Sequence, residues 1–371
     1  MRRNFKMKLI KKLLKEGLAF KGLVNEIDWE NTFSDVKKTC VEPKAFADYL
    51  QKVRDNKDKS TSDREKFDAS HPYIHAKSSF FDKDSEELTA QDVDNFIKKM
   101  IKPPLNVVNT NEKILKSGGP HEYVYKTGIP AFRGLAYSIK EDKIYYINTC
   151  PGAGDCVLIC YALKGRYIQY PVSYDSMTRR LNYLLNYPEK YEKKLYKEIK
   201  EKAELHSAFE GYKAKVLLRW NDSGDFFADE YVKIAERVMK RLKVEGYNVA
   251  SYAYTKIADV AKSDTEFDTT FSVGANKKET SKIDLEKYKN SVVVPKTLAS
   301  GLNLMKVSDE ETYKDRVAKH YNLDPETVIT YDEMMQTPKG NEPKWFVIVT
   351  SEDGDDAAFR KDVKKVLLKF H

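Results

Sequence analysis

Three of the four cysteines lie within eleven residues, Cys150, Cys156 and Cys160, in NTCPGAGDCVLICYALKGRY. Five and then three residues separate them, too tight for mutual disulfides. The spacing suits three thiolates converging on a metal ion or an iron–sulfur cluster. The plain alternative is a set of small buried core residues, but the turn Pro151-Gly152-Ala153-Gly154 makes this loop a poor place for inert thiols. The fourth cysteine, Cys40, stands alone. A second constellation is RWNDSGDFFADE, residues 219–230. Asp222 and Asp225 follow a strand-like run, with Ser223 and Gly224 turning between them. Paired carboxylates at a strand end are a usual way to build an acid–base or nucleophilic site. The competing reading is an Asx-turn at Asp222 and a helix cap at Asp225.

Further groups fall near these two. Thr255 and Lys256 close the run AYTK, and Lys256 is suited to a phosphate or carboxylate or to solvent at a helix start. Arg166, Tyr167 and Tyr170 follow the last thiol, and basic residues between tyrosines can track a nucleic-acid backbone and stack bases. Asp353, Asp355 and Asp356 crowd another strand end, where a cap cluster is the plainer reading over a cation site. His71 and His75 sit four apart, but Pro72 argues against one helix holding both, and they read as surface histidines. His121, His206, His371 and Cys40 are open as a fourth metal ligand.

The elements that would position these residues alternate from Tyr123 onward. Strand-like runs cover 143–148, 214–220, 248–254, 269–273, 291–294 and 345–350. Helical patterns cover 173–204, broken at Tyr187-Pro188, and 228–244, with a closing helix at 357–368. Such alternation predicts an α/β fold with a parallel sheet, read here as a (β/α) TIM-like barrel, whose function collects on loops after the strand ends. The cysteine loop would then leave the first barrel strand. We divide the chain into a mainly helical N-terminal region, 1–105, and a barrel-like catalytic domain, 106–371. Residues 1–22 carry Leu9, Ile10, Leu13, Leu14 and Leu18 at helical spacing between lysines, and 54–66 read as an exposed loop.

Length and composition bound the rest. The chain has 371 residues, 41% hydrophobic, with a net charge of +8. That is enough for a sizeable core, and the mild basic excess permits nucleic-acid binding without requiring it. No apolar run is long enough to span a membrane, and no secretory signal opens the chain. Sparse cysteine fits a reducing cytoplasm, a host's if the protein is viral.

Residues 222–227, DSGDFF, resemble the AspSerGlyGlyPheGln signature of tRNA-guanine transglycosylases, a superfamily that includes the DpdA-type enzymes of phage DNA modification. The resemblance implies a (β/α)8 barrel, a glycosyltransferase activity that puts a 7-deazaguanine-type base into DNA or tRNA, and a covalent aspartyl–sugar intermediate. It implies Asp222 as the catalytic aspartate that acts on the base. The nucleophile has no motif here; Asp225 and Asp259 are the candidates. Ser223, Gly224, Phe226, Thr255, Lys256 and Arg166 would bind substrate, and Cys150, Cys156 and Cys160 would hold zinc. The family's Gly is Asp225 here, its Gln is Phe227, and its cysteines follow the Asp motif rather than precede it. The thiol loop is also similar to that of radical SAM enzymes, which implies a 4Fe–4S cluster with S-adenosylmethionine; there the usual spacing is three and two. A further resemblance, to phage proteins joining a CysProGly…CysTyrAla loop to this Asp motif, runs through most of residues 130–371. A non-catalytic zinc-containing nucleic-acid-binding protein is the third reading.

Overall fold

The computed structural model describes residues 32–36, 38–41, 97–109, 112–163, 167, 171–294, 310–350 and 352–369. The expected helix over 1–22, the loop over 54–66, and His71, His75, Arg166, Tyr170 and His371 lie outside the described residues.

Among the described residues, two sheets organise the fold. A small antiparallel sheet joins β1 (Lys38–Val41), β4 (Lys143–Asn148) and β3 (Arg133–Ser138) in that order. The large sheet has eight strands, all parallel: β2 (Glu122–Lys126), β5 (Lys215–Trp220), β6 (Val249–Thr255), β7 (Asp268–Ser272), β8 (Asn290–Val294), β11 (Val363–Lys369), β10 (Trp345–Val349) and β9 (Val328–Thr330). The α/β class is as expected.

Helices α1 (Glu112–Leu115), α2 (Pro171–Asn186), α3 (Pro188–Glu210), α4 (Asp229–Val244), α5 (Ala258–Lys262), α6 (Lys277–Thr280), α7 (Glu310–Tyr321) and α8 (Tyr331–Gln336) accompany the strands. Pro188 opens α3, where its missing N–H costs nothing, and Gly211 at φ 64° ends it. In α4, Tyr231, Ile234, Ala235, Val238, Met239 and Leu242 are buried at three-to-four-residue spacing. They join Val216, Leu218 and Trp220 of β5 and Leu195 and Ile199 of α3 in one core cluster. Each large side chain so buried contributes on the order of 2 kcal/mol, so this packing, rather than surface ion pairing, holds α4 in place.

Three features depart from the sequence reading. First, β4 is not a strand of the parallel sheet. Only four residues separate β3 from β4, and a parallel crossover needs a dozen or more, so the pair closes as an antiparallel hairpin. The cysteine loop leaves this hairpin, and the first strand of the parallel sheet is β2. Second, the expected closing helix is a short turn, Asp356–Phe359, followed by β11. With β8 and β10 on its two sides, β11 is an interior strand without strict alternation, and Val363, Val366 and Leu367 fall at i, i+3 and i+4, a spacing that mimics a helix. Third, β9, β10 and β11 run in reversed order, unlike the sequential order of a TIM barrel. Among the described residues no ladder joins the edge strands β2 and β9. Val124 of β2 and Ile329 of β9 nevertheless belong to one cluster with Leu217, Val347 and Val366. Lys339, after α8, also pairs with Glu122 of β2 at 2.6 Å. In the region expected to be helical, residues 97–100 are helical while Lys38–Val41 is a strand.

Candidate functional site at the C-terminal edge of the parallel sheet

The chemistry-bearing residues gather where the parallel strands end. After Trp220 the chain turns through Asn221, at φ 51°, and Gly224, at φ 79°. Tyr231 OH donates to Asn221 Oδ1 at 2.8 Å and holds the first of these left-handed positions. Asp222 N donates to Thr127 O at 3.1 Å, and Ile129 N donates to Ser223 O at 3.1 Å, tying the turn to the end of β2. No Cβ would fit at Gly128, because the Asp222 carboxylate fills that space.

Asp222 is 3% exposed. Its carboxylate pairs with Lys126 of β2 and accepts from Tyr167 OH at 2.6 Å. Burial would raise its pKa, but Lys126 and Arg219 outweigh burial and hold it below the usual carboxylate range. Tyr161 OH donates to the Asp222 carbonyl oxygen.

Asp225 is fully buried and bound on both oxygens. Oδ1 accepts from Phe226 N at 2.8 Å and Thr255 Oγ1 at 2.8 Å, and Oδ2 accepts from Lys256 N at 2.8 Å. Its own N–H donates to Thr149 O at 2.9 Å. Asp225 therefore braces the ends of β4, β5 and β6 together. Thr255 is its partner.

The thiol loop is clamped onto the ends of β6 and β7. Cys156 N and Gly154 N both donate to Gly274 O, at 3.3 and 3.2 Å, and Asn276 N donates to Gly152 O at 2.9 Å. Gly152 packs on the Lys256 carbonyl and Gly154 on Ala275, too closely for any side chain. The Lys256 ammonium lies in the field of Asp225 and of all three sulfurs. These outweigh its burial and raise its pKa. Burial pushes the Cys150 thiol up to about 12 and raises Cys160 as well. Cys150 Sγ accepts from Phe132 N at 3.2 Å. Among the described residues no three His, Cys, Asp or Glu side chains are arranged to hold a metal. The thiols share one neighbourhood, but this arrangement is not a closed ligand set, and no chemical step is derived through a metal.

A second buried ionic pair adjoins Asp222. Arg219, at the end of β5, pairs with Asp355 from the loop after β10. The same guanidinium donates to Tyr161 OH at 3.3 Å and lies 5.4 Å from the Tyr254 ring centroid. Asp355 N donates to Ser117 Oγ at 2.7 Å. Burial raises the Asp355 pKa more than Arg219 and Lys113 lower it. Asp356 serves the fold, accepting from Tyr331 OH at 2.5 Å and Gly118 N at 3.0 Å.

Some residues singled out from sequence lie elsewhere or play other parts. Phe226 is core, 5.1 Å from the Phe267 ring and 6.2 Å from Trp220. Ser223 is buried with its backbone carbonyl in use. Gly224 packs on Ile129. Asp259 is exposed and pairs with Lys262 and Lys282. His121 pairs with Glu210 at 2.7 Å, His206 stacks on Tyr123 at 3.5 Å, and Cys40 lies in β1 opposite Tyr145. Lys126, Arg219 and Tyr161 escaped the sequence reading. The available signal was Arg219 itself, a charge inside the buried run KVLLRW.

The fold and site define an α/β protein with a buried ionic centre at the C-terminal edge of an eight-stranded parallel sheet. A family model described as Gene product 88 matches residues 105–367, and the chain belongs to that family. No curated protein and no solved structure matches it. No helix among the described residues is long and apolar enough to cross a membrane.

Proposed function

We propose that this protein is a base-exchange enzyme that replaces guanine in DNA with a free 7-deazaguanine-type base. The observation that supports this reading is the pair Asp222 and Asp355. Two buried carboxylates lie at one end of the sheet, are joined through Arg219 and Tyr161, and are pushed in opposite directions by their surroundings. These opposite directions suit Asp222 to the role of nucleophile and Asp355 to that of proton carrier. Asp222, ionised, attacks the sugar C1′. The glycosidic C–N bond breaks, its electron pair leaves with guanine, and Asp355 gives guanine its proton. Asp355 then takes the ring N–H proton of the incoming base, whose nitrogen attacks C1′ and frees Asp222. These roles differ from those the resemblance implies, in which Asp222 manages the proton. Asp225 braces the site and Asp259 is outside it.

Zinc on Cys150, Cys156 and Cys160 belongs to the proposal as a structural element, as does the reading of the curled sheet as an incompletely closed barrel. The seat of three thiols beside Lys256 favours one rival, an iron–sulfur enzyme using S-adenosylmethionine. The test incubates the full chain with guanine-containing duplex DNA and tritiated guanine. Label should enter the DNA, and Asp355→Asn should slow entry by ~10²–10⁴-fold. No label, together with iron and acid-labile sulfide in anaerobically purified protein, would replace this reading with the rival.

A further inference from the structure

Two aromatic side chains with cations beside them lie next to the thiol loop. The first is Tyr161, whose side chain is 48% exposed although its oxygen is fixed. That oxygen donates to the Asp222 carbonyl and accepts from Arg219 Nη2 at 3.3 Å, and the Tyr167 ring stands edge-on at 5.5 Å. The Tyr167 ring in turn lies 5.3 Å from Lys126 Nζ. Tyr161 is thus anchored at its hydroxyl edge while much of its ring faces solvent.

The second is Phe132, at φ 63°, a conformation that bulky residues rarely adopt. Three hydrogen bonds hold it there. Arg133 N donates to Ala131 O at 2.7 Å across the turn, Phe132 N donates to Cys150 Sγ at 3.2 Å, and Thr149 N donates to Phe132 O at 3.3 Å. Strain of this kind gathers at functional sites. The turn brings Arg133, the exposed first residue of β3, over the half-buried Phe132 ring, with its guanidinium carbon 5.2 Å from the centroid. Phe132, Cys160 and Tyr167 pack on one small cluster of Ala131, Ala162 and Leu163, so the two aromatic–cation groups are joined. A lone exposed ring needs no explanation. A ring anchored at its edge, joined to a strained turn that presents an arginine, is the combination that takes an unpaired strand: a face for a base and a cation for the backbone.

We propose that Tyr161 and Arg133 form a binding surface for an unpaired stretch of DNA strand, with Tyr161 stacking a base and Arg133 meeting a phosphate. That the strand is DNA rests on the function proposed above, in which the target base must leave the duplex to be reached. The surface adjoins Asp222 through the Tyr161 hydroxyl. Lys126 and Arg219 are already paired with Asp222 and Asp355, so they add little net charge. Stacking, which tolerates any base, therefore supplies most of the affinity, and Arg133 supplies the salt dependence.

The test titrates the full chain with a short fluorescein-labelled single strand of mixed sequence, and with the matching duplex, by anisotropy at several salt concentrations. The single strand should bind ~10-fold or more tightly than the duplex, whose bases offer no free face. Tyr161→Leu should weaken single-strand binding ~5–100-fold and leave the salt slope unchanged. Tyr161→Phe keeps the ring but loses both hydroxyl contacts, and should stay within ~3-fold of wild type. Arg133→Ala should make the salt slope shallower by ~0.7, the share of one phosphate. Wild-type affinity in Tyr161→Leu, equal loss in Tyr161→Phe and Tyr161→Leu, or a duplex bound as tightly as the strand would overturn the proposal. An unchanged slope in Arg133→Ala would do the same, and it decides the matter if Tyr161→Leu does not fold. Base exchange without single-strand binding removes this surface but leaves the proposed function. Single-strand binding that Tyr161→Leu weakens, with no exchange in wild type, removes the proposed function but leaves the surface.

Discussion

Asp225→Asn separates a structural brace from a catalytic carboxylate. Asp225 accepts three hydrogen bonds, two on Oδ1 and one on Oδ2. An asparagine can keep its oxygen toward Phe226 N and Thr255 Oγ1, but its NH2 then meets the Lys256 N–H, donor against donor. The loss is one charge-assisted hydrogen bond, and it leaves a buried N–H unpaired, together about 3 kcal/mol. Unfolding entropy of about 2.1 cal/mol/K per residue, over 371 residues, converts this to a fall of ~4 °C in Tm. Circular dichroism during heating measures it. Residual base exchange, corrected for folded fraction, should stay within about tenfold of wild type. A Tm within 1 °C of wild type combined with abolished exchange would refute the brace and return Asp225 to the chemistry.

Two other perturbations test the loop clamp and the electrostatics of the sheet. Gly152→Ala drives a methyl group into the Lys256 carbonyl; at on the order of 1–3 kcal/mol of overpacking the loop should lift, and Cys156 and Cys160 should react with a disulfide reagent ~10-fold faster. An unchanged rate would mean that the clamp is dispensable. Lys289 donates to Ala358 O at 2.9 Å and Arg360 O at 2.7 Å, and burial lowers its pKa to about 8. Because the folded pKa lies below the unfolded one, the unfolded chain binds more protons above pH 8, and stability rises with pH by ~2 kcal/mol between pH 8 and 10. Urea midpoints across that range should show this rise in wild type and not in Lys289→Met; parallel profiles for the two proteins would contradict it.

The sequence made the strand–helix alternation legible because β5, β6, β7, β8 and β10 are compact β-branched or aromatic runs between amphipathic helices. It hid β2, β3 and β9 for physical reasons. EYVYK and RGLAYS mix polar and apolar residues, and VIT is three residues long. The hairpin assignment of β4 depends on β3, so missing one misplaced the other. β11 was read as a helix because its apolar residues lack strict alternation and fall at helical spacing. Asp222, Lys256 and the thiols could be found from residue type and spacing. The ionic network around them could not. Lys126 and Arg219 come from two strands far apart in sequence that register sets side by side, and Asp355 comes from the loop after a third strand, so only the fold brings the three together.

The central claim is that Asp222 forms the covalent bond while Asp355 carries the proton. Intact-mass and peptide-mapping mass spectrometry of the protein denatured during reaction with guanine-containing DNA tests it directly. Wild type should carry a sugar-linked adduct on the peptide containing Asp222. Asp222→Asn should carry none, and Asp355→Asn should form it slowly when guanine must leave unprotonated. An adduct mapped to Asp355, or its formation by Asp222→Asn at the wild-type rate, would contradict the account.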